Sequence, residues 1–151
     1  VLLWKITGTD TYLGLGGGTI AQSFEEPQKL WVFLLKILFT CITLCSGFKG
    51  GEIVPSLFIG ATFGSALAPI FGLPVDICAA CGMVGVFCAV TNSPISSLLI
   101  AFELFGFAGM PYFCTVIAVS YLLSGYQSLY KAQKIVYSKT ENKYIDRNTT
   151  S

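Results

Sequence analysis

Histidine is absent from the 151-residue chain, and charged side chains make up only 11% of it. Without histidine, these residues cannot supply the Ser-His-Asp triad of hydrolases or the paired histidines of metalloproteases. Cys78 and Cys81 have the CxxC spacing, but a zinc site needs a second cysteine pair or histidines. We therefore predict that the protein is not an enzyme and has no catalytic residues and no metal site. We interpret its six cysteines as small apolar side chains within helices.

Lysine and arginine are missing from residues 50 to 130, where Glu52, Asp76 and Glu103 are the only charged residues. Soluble domains contain about 25% charged residues, whereas 54% of this chain is hydrophobic. This distribution is typical of an integral membrane protein. Lys36 lies within an apolar run, where it either extends to the membrane surface or faces protein. The net charge of +1 gives no indication of nucleic-acid binding.

Glycine and proline interrupt the apolar sequence, so most runs have roughly 11 to 18 residues, fewer than the about 20 of a straight span. Irregular backbone at membrane depth is tolerated only where it is buried in protein or lines a watery cavity, and broken helices are typical of transporters. We predict an all-α integral membrane fold of short, tilted and broken helices. The predicted helices are Thr19–Phe24, Leu30–Cys45, Val54–Phe71, Ile77–Val90, Ile95–Phe105, Met110–Leu123 and Leu129–Tyr137.

A polar, glycine-rich turn joins two of these apolar runs. Its glycine pair allows the backbone to turn sharply and to approach a ligand, and a proline suits the first turn of the helix that follows. The first N–H groups of a helix have no partner within it, and the helix dipole favours negative charge there. The turn therefore predicts an anion site built from backbone N–H groups. The candidate anion-binding residues are Gly50, Gly51, Glu52, Ile53, Val54 and Pro55.

Glu52 is a carboxylate within this predicted anion site. When it is ionised it repels an anion, whereas a low-dielectric site favours its neutral, protonated form. Because protonation would then favour anion binding, Glu52 is a candidate for coupling anion movement to proton movement. A salt bridge with Lys49 or a capping role at the helix start is the alternative interpretation.

Tyr130 is a second candidate anion ligand, because a phenol is a neutral donor that can hold a halide without trapping it. The residue lies at the start of the predicted helix Leu129–Tyr137, from which it could project back into the membrane. An interfacial position is the alternative for tyrosines near a membrane surface, and it suits Tyr126 and Tyr137 better.

The segment Gly51-Glu52-Ile53-Val54-Pro55 resembles the G-x-F-x-P anion-binding motif of the CLC family of chloride channels and halide/proton antiporters. The order of elements is also similar over essentially the whole chain, as the C-terminal half of a CLC membrane domain with inverted-repeat architecture. The resemblance implies that the amides of Glu52 and Ile53 bind the anion and that Tyr130 coordinates it. Ile53 replaces the usual Phe of the motif, and the context of Glu52 is closest to bacterial fluoride/proton antiporters. Val54 replaces the Thr of that group.

The resemblance also implies the organisation and partners of the protein. Residues 1–137 would form the C-terminal half of the membrane domain, and residues 138–151 a polar tail that is cytoplasmic by the positive-inside rule. The chain begins Val-Leu-Leu-Trp, without Met or a signal peptide, so we expect a fragment of a longer polypeptide. The expected partners are halide anions, protons, the lipid bilayer, the N-terminal half of the same chain and a second copy in a homodimer. We expect a bacterial cell membrane location and no cofactor other than the bound halide.

The predicted function is transmembrane transport of chloride or fluoride by anion/proton antiport. A passive chloride channel of the voltage-gated type is the alternative, because this part of the chain does not distinguish the two. A membrane protease would need a Ser–His pair or two facing aspartates, and a membrane scaffold would show continuous spans of normal length.

Overall fold

The computed structural model describes residues 5, 8, 12, 14–47, 50–130 and 132–149. In this part of the chain the backbone forms six helices followed by two strands. The helical fold predicted for the chain is confirmed up to Leu123. The elements are α1 Gly17–Glu25, α2 Leu30–Cys45, α3 Ile53–Phe71, α4 Val75–Thr91, α5 Pro94–Phe105, α6 Met110–Leu123, β1 Lys134–Tyr137 and β2 Tyr144–Asn148.

The observed helix bounds differ little from the predicted ones. Helices α2 and α6 begin and end at the predicted residues, and α4 gains two residues at its start because Val75 and Asp76 are already helical. Asp76 lies in the first turn of α4, where the helix dipole stabilises a carboxylate. Glycine ends α3, since Gly72 has a left-handed conformation with φ 65° and its N–H bonds the Ala68 carbonyl.

Helix α3 is the one described helix with the length and composition to cross a membrane, with 19 residues and a mean hydropathy of 1.7. The other apolar helices, α2, α4, α5 and α6, have 10 to 17 residues. The interrupted pattern predicted from glycine and proline is therefore present in the structure.

The chain divides into two compact units between Met83 and Val84, within α4. In the first unit, α1 and α2 pack against α3. Ser65 fastens the connection between α1 and α2 to the middle of α3: its hydroxyl donates to the Glu26 carbonyl at 2.9 Å and accepts from the Gln28 N–H at 3.1 Å. Ser65 is fully buried, so both bonds are shielded from water.

Small residues bring α3 and the first part of α4 into backbone contact. A Cβ added to Gly60 would lie 2.5 Å from the Gly82 carbonyl oxygen, and one added to Gly64 would overlap the Cys78 carbonyl. Gly60 and Gly64, spaced four residues apart on one face of α3, therefore allow the two helices to pack closely.

The second unit contains the rest of α4, then α5, α6 and the two strands. Helices α5 and α6 pack against each other, with the rings of Phe105 and Phe113 5.8 Å apart. After α6 the chain returns to the end of α4, where the Leu129 N–H donates to the Val90 carbonyl at 3.0 Å.

The predicted helix Leu129–Tyr137 is wrong. Strands β1 and β2 form an antiparallel hairpin in which Lys134 pairs with Asn148 and Tyr137 pairs with Tyr144. The sequence of β1 combines two β-branched residues with a tyrosine, which favours a strand where cross-strand partners exist. The predicted boundary between membrane domain and tail, at residue 137, falls inside this hairpin.

Candidate anion-binding site

The turn before α3 begins where α2 ends. Ser46 ends α2 through its N–H bond to the Ile42 carbonyl, and Gly47 follows in the left-handed region with φ 80°. Residues 48 and 49 lie outside the described residues, and so does the predicted Glu52–Lys49 salt bridge. Among the described residues of this turn, Gly47 has a left-handed backbone and Gly50 and Gly51 do not, so the sharp turn predicted at Gly50 and Gly51 already begins at Gly47.

Gly50 and Gly51 contribute open space. Both are exposed, and a Cβ added to either would meet no atom within 4 Å. The backbone that leads into α3 can therefore be approached by a ligand without displacement of neighbouring atoms.

Glu52 is the N-cap residue of α3, and its side chain makes no capping hydrogen bond to the helix. The predicted capping role of this side chain is therefore wrong. Its carbonyl accepts both the Ser56 N–H at 3.2 Å and the Ser56 hydroxyl at 2.7 Å. The carbonyl of Glu52 thus points into the helix, away from the turn.

The start of α3 leaves backbone donors for a ligand. Ile53 and Val54 are the first two helical residues, and N–H groups at these positions have no acceptor within their own helix. Ile53 is 36% exposed, and Pro55 contributes no N–H to this row. Because the Glu52 side chain does not cap this helix start, the backbone N–H groups and the helix dipole can both attract an anion.

Lys36 provides a buried cation in the same unit. The side chain is 3% exposed, and its Nζ donates to the carbonyls of Gly14 at 2.7 Å and Tyr12 at 3.3 Å. The ammonium also lies 4.9 Å from the centroid of the Phe58 ring on α3. Of the two positions that the sequence left open, Lys36 occupies the one that faces protein, where these three partners are neutral groups.

Tyr130 belongs to the second unit and lies in irregular backbone rather than at the start of a helix. The residue is 49% exposed. The Tyr126 hydroxyl, by contrast, lies 2.9 Å from the Ser138 hydroxyl, within hydrogen-bonding distance. Of these two tyrosines near the end of α6, Tyr130 has the accessible side chain. No hydrogen bond in the described structure fixes that side chain.

Residues 50–55 of the turn thus lie together at the start of α3, in the first unit. Tyr130 belongs to the second unit. Sequence reasoning missed the polar residues that hold Tyr130 in place, which lie just after α4, next to Tyr130 in the sequence and near the end of the tail. The signal for them was weak, since isolated Asn, Gln and Thr residues carry no characteristic spacing. Among the described residues, no three metal-ligating side chains are grouped together.

Residues 1–125 match the protein family described as voltage gated chloride channel. A curated relative named chloride/fluoride channel protein, from Pseudomonas syringae pv. tomato, is 44% identical over 130 residues, which cover 86% of this chain and 29% of the relative. A crystal structure of a CLC-type fluoride/proton antiporter superposes with a TM-score of 0.80 at 39% identity, covering 85% of this chain and 33% of that chain. The chain therefore spans a third or less of each of these two proteins.

Proposed function

The chain belongs to the voltage-gated chloride channel family, and from that premise we propose that it forms part of a membrane transporter that exchanges halide ions for protons. The halide binds to backbone N–H groups at the start of α3 and to the phenol of Tyr130. The observation that carries the proposal is the helix start itself, where Gly50 and Gly51 leave open space in front of donors that the Glu52 side chain does not cap.

Neutral donors suit transport better than full charges do. An ion must bind well enough to enter a site and weakly enough to leave it, and amide and phenol groups meet both conditions. The buried cation of the first unit bonds to carbonyls and an aromatic ring, so its proposed contribution is a positive potential rather than a direct ligand.

Proton coupling is assigned to Glu52. Glu52 is half-buried and directly precedes Ile53 and Val54, so the charge of its carboxylate would oppose an anion bound to their amides. Uptake of a proton removes that repulsion, which links halide occupancy to protonation.

The remaining partners follow from the family. The protein acts with the N-terminal half of the same polypeptide, as a homodimer in the lipid bilayer of a bacterial cell. The C-terminus is cytoplasmic, because the segment from residue 131 to residue 151 is rich in cations. These cations are Lys131, Lys134, Lys139, Lys143 and Arg147.

Halide binding is tested with the full-length protein reconstituted in liposomes, by measuring fluoride and chloride efflux with ion-selective electrodes. Gly51→Ala adds a methyl group in front of the helix start. We expect efflux to fall by about tenfold, which corresponds to a loss of about 1.4 kcal/mol in the free energy of halide binding. Gly18→Ala is the matched control, because its Cβ also meets no atom within 4 Å but lies on α1. Equal efflux for both variants would reject the site at α3.

Antiport is tested by the same preparation with a proton gradient. We expect an inward halide gradient to drive protons against their gradient in the wild type, and Glu52→Gln to abolish this coupling while halide still moves. Wild-type coupling in Glu52→Gln would reject the role of Glu52. A wild type that never moves protons would favour the second candidate, a passive channel, to which the name of the Pseudomonas syringae relative points.

The preferred halide is tested by the ratio of fluoride to chloride efflux. Fluoride is the ion in the description of the superposed antiporter, whereas the curated relative is named for both halides. Val54→Thr adds a hydroxyl donor one residue past the amide of Ile53, and we expect it to raise the fluoride-to-chloride ratio. An unchanged ratio would show that this position does not set selectivity.

A further inference from the structure

The main-chain N–H and carbonyl of Tyr130 are both held by side-chain hydroxyls, one from a neighbouring residue and one from near the C-terminus. The Tyr130 N–H donates to the Ser128 hydroxyl oxygen at 3.2 Å. The Tyr130 carbonyl accepts the Thr149 hydroxyl at 2.7 Å and the Gln133 N–H at 3.0 Å. Both backbone polar groups of the residue are therefore engaged, and the two hydroxyls are at least nine-tenths buried.

The residues that hold Tyr130 are themselves attached to the end of α4. The Ser128 hydroxyl lies 2.7 Å from Gln133 Oε1 and 3.2 Å from the Thr91 carbonyl. Gln133 Nε2 donates to the Asn92 carbonyl at 3.1 Å. One connected network therefore runs from the last residue of α4 to the backbone of Tyr130.

Asn92 completes the network from the other direction. Its side-chain Nδ2 donates to the carbonyls of Gly125 at 3.3 Å and Gln127 at 3.0 Å, so it fixes the segment just before Ser128. Asn92 is 4% exposed and has a left-handed backbone with φ 54°, a conformation that asparagine tolerates better than most residues. We call Asn92, Ser128, Gln133 and Thr149 the Tyr130 clamp.

Thr149 reaches this position through the hairpin. Strand β2 ends at Asn148, which pairs with Lys134, so the next residue lies beside Gln133. The Thr149 N–H donates to the Gln133 carbonyl at 3.0 Å, and its hydroxyl lies 3.2 Å from the same oxygen. The residue is 6% exposed although it lies near the end of a polar tail.

The half-exposed side chain of Tyr130 contrasts with its fully engaged backbone. No side-chain hydrogen bond in the described structure orients the phenol, so its direction is set by the backbone that the clamp holds. A small change in that backbone moves the phenol hydroxyl by a larger distance, because the hydroxyl lies at the far end of a rigid ring.

We propose that Thr149, acting through the clamp, is a positioning residue for Tyr130, so that the C-terminal hairpin sets the geometry of the anion site. This inference rests on the proposed function, in which the Tyr130 phenol binds the halide. It assigns to the tail a role in ion binding rather than only a cytoplasmic location.

The test compares Thr149→Val, which removes the hydroxyl with little change in shape, with Thr149→Ser, which keeps it. Both are made in full-length protein, and halide affinity is measured by calorimetry with sodium fluoride and sodium chloride. We expect Thr149→Val to weaken halide binding by about fivefold, the effect of one net hydrogen bond, and Thr149→Ser to stay within about twofold of the wild type. Unchanged affinity in Thr149→Val would overturn the inference.

The Tyr130→Phe background separates positioning from general structure. There the phenol hydroxyl is missing, so we expect Thr149→Val to cause no further loss of affinity. An equal loss in both backgrounds would overturn the inference, because Thr149 would then act independently of Tyr130. If Tyr130→Phe alone leaves affinity unchanged, Tyr130 is not a ligand, and both this inference and its part of the proposed function fail. A loss in Tyr130→Phe with wild-type affinity in Thr149→Val overturns the positioning role alone.

Asp146→Asn is the control for hairpin stability. Asp146 lies 4.0 Å from Lys134 as an exposed ion pair, and its left-handed backbone, φ 36°, also suits asparagine. We expect this variant to bind halide as the wild type does, since the Thr149 hydroxyl is untouched. A loss equal to that of Thr149→Val would show that hairpin stability, not the hydroxyl, controls the site, and would overturn the inference.

Discussion

The two units stabilise their buried polar groups in different ways. The first buries a full charge, Lys36, on two carbonyls and an aromatic ring, and it packs two helices through direct backbone contact. The second buries neutral groups such as Asn92 and Ser128 in a shared network. Backbone atoms in contact cannot rotate aside, and a lost hydrogen bond to a charged group costs more than one between neutral groups. We therefore expect matched substitutions to be more costly in the first unit.

The largest difference is expected when alanine replaces a glycine in each unit. Gly64→Ala forces a methyl group into the Cys78 carbonyl, so the backbones must separate, and we expect a cost of about 3 kcal/mol or more. Gly85→Ala meets the Val116 Cγ1 atom at 2.7 Å and the Ser120 hydroxyl at 3.1 Å, which are side-chain atoms that can rotate, so we expect about 1 kcal/mol. Thermal unfolding in detergent measures both, and equal costs would remove the contrast between the units.

Removing the buried charge is expected to have the next largest effect. Lys36→Met leaves the carbonyls of Tyr12 and Gly14 without this donor, and we expect the free energy of unfolding to fall by about 2 to 3 kcal/mol. Lys36→Arg, which keeps the charge and the donors, is the matched control and should lose less. Unchanged or increased stability in Lys36→Met would mean that the cost of burying the ammonium equals or exceeds the value of its contacts.

In the second unit, Asn92 allows the backbone and the side chain to be tested separately. Asn92→Ala loses two hydrogen bonds and places alanine in a left-handed conformation, so we expect a cost of about 2 kcal/mol. Asn92→Gly loses the same bonds without the backbone strain, and we expect about 1 kcal/mol. Chemical denaturation monitored by tryptophan fluorescence distinguishes the two. Equal costs would assign the whole effect to the amide.

The smallest effect is a pH dependence from Lys139 in the tail. Burial lowers the pKa of Lys139 from the ordinary lysine value of 10.5, and the charge of Cys88 acts in the opposite direction. Its Nζ donates to the Tyr121 carbonyl at 2.6 Å and lies 3.8 Å from the centroid of the Tyr121 ring. A folded-state pKa below the unfolded value means that folding disfavours the protonated form. Stability should therefore rise as the pH increases from below the folded-state pKa towards 10.5.

Lys139→Met provides the comparison for this prediction. We expect the melting temperature of the wild type to increase relative to the variant as the pH rises towards 10.5, the ordinary lysine pKa. A difference that stays constant over this range would contradict the prediction.

The helices were predictable because their signals are local. The ends of α2 and α6 follow from apolar runs that stop at polar or glycine residues, and these ends were predicted without error. The start of α3 was predicted within one residue because Pro55 marks a first helical turn. The chemistry of the turn also followed from local features, a glycine pair and a helix start.

The contacts that could not be predicted join residues far apart in the sequence. Lys36 bonds a carbonyl 22 residues earlier, and Thr149 bonds a carbonyl 19 residues earlier. The local sequence around Tyr130 favoured a helix. The structure instead has strand β1, which pairs with residues 144–148, and this pairing is visible only in the folded chain. The left-handed turn at Gly47 was likewise missed, since three glycines within five residues give no indication of which one adopts that conformation.

The hydrogen bonds between Ser65 and the polar connection before α2 indicate how deep in the bilayer the start of α3 lies. The connection from Glu26 to Lys29 carries the charges expected at a membrane surface, and it bonds α3 at Ser65, twelve residues after its start at Ile53. Twelve helical residues rise about 18 Å, or about 17 Å along the membrane normal at a typical tilt of about 20°. Since the hydrocarbon core is about 30 Å thick, the open helix start then lies near the middle of the bilayer, well away from both aqueous phases.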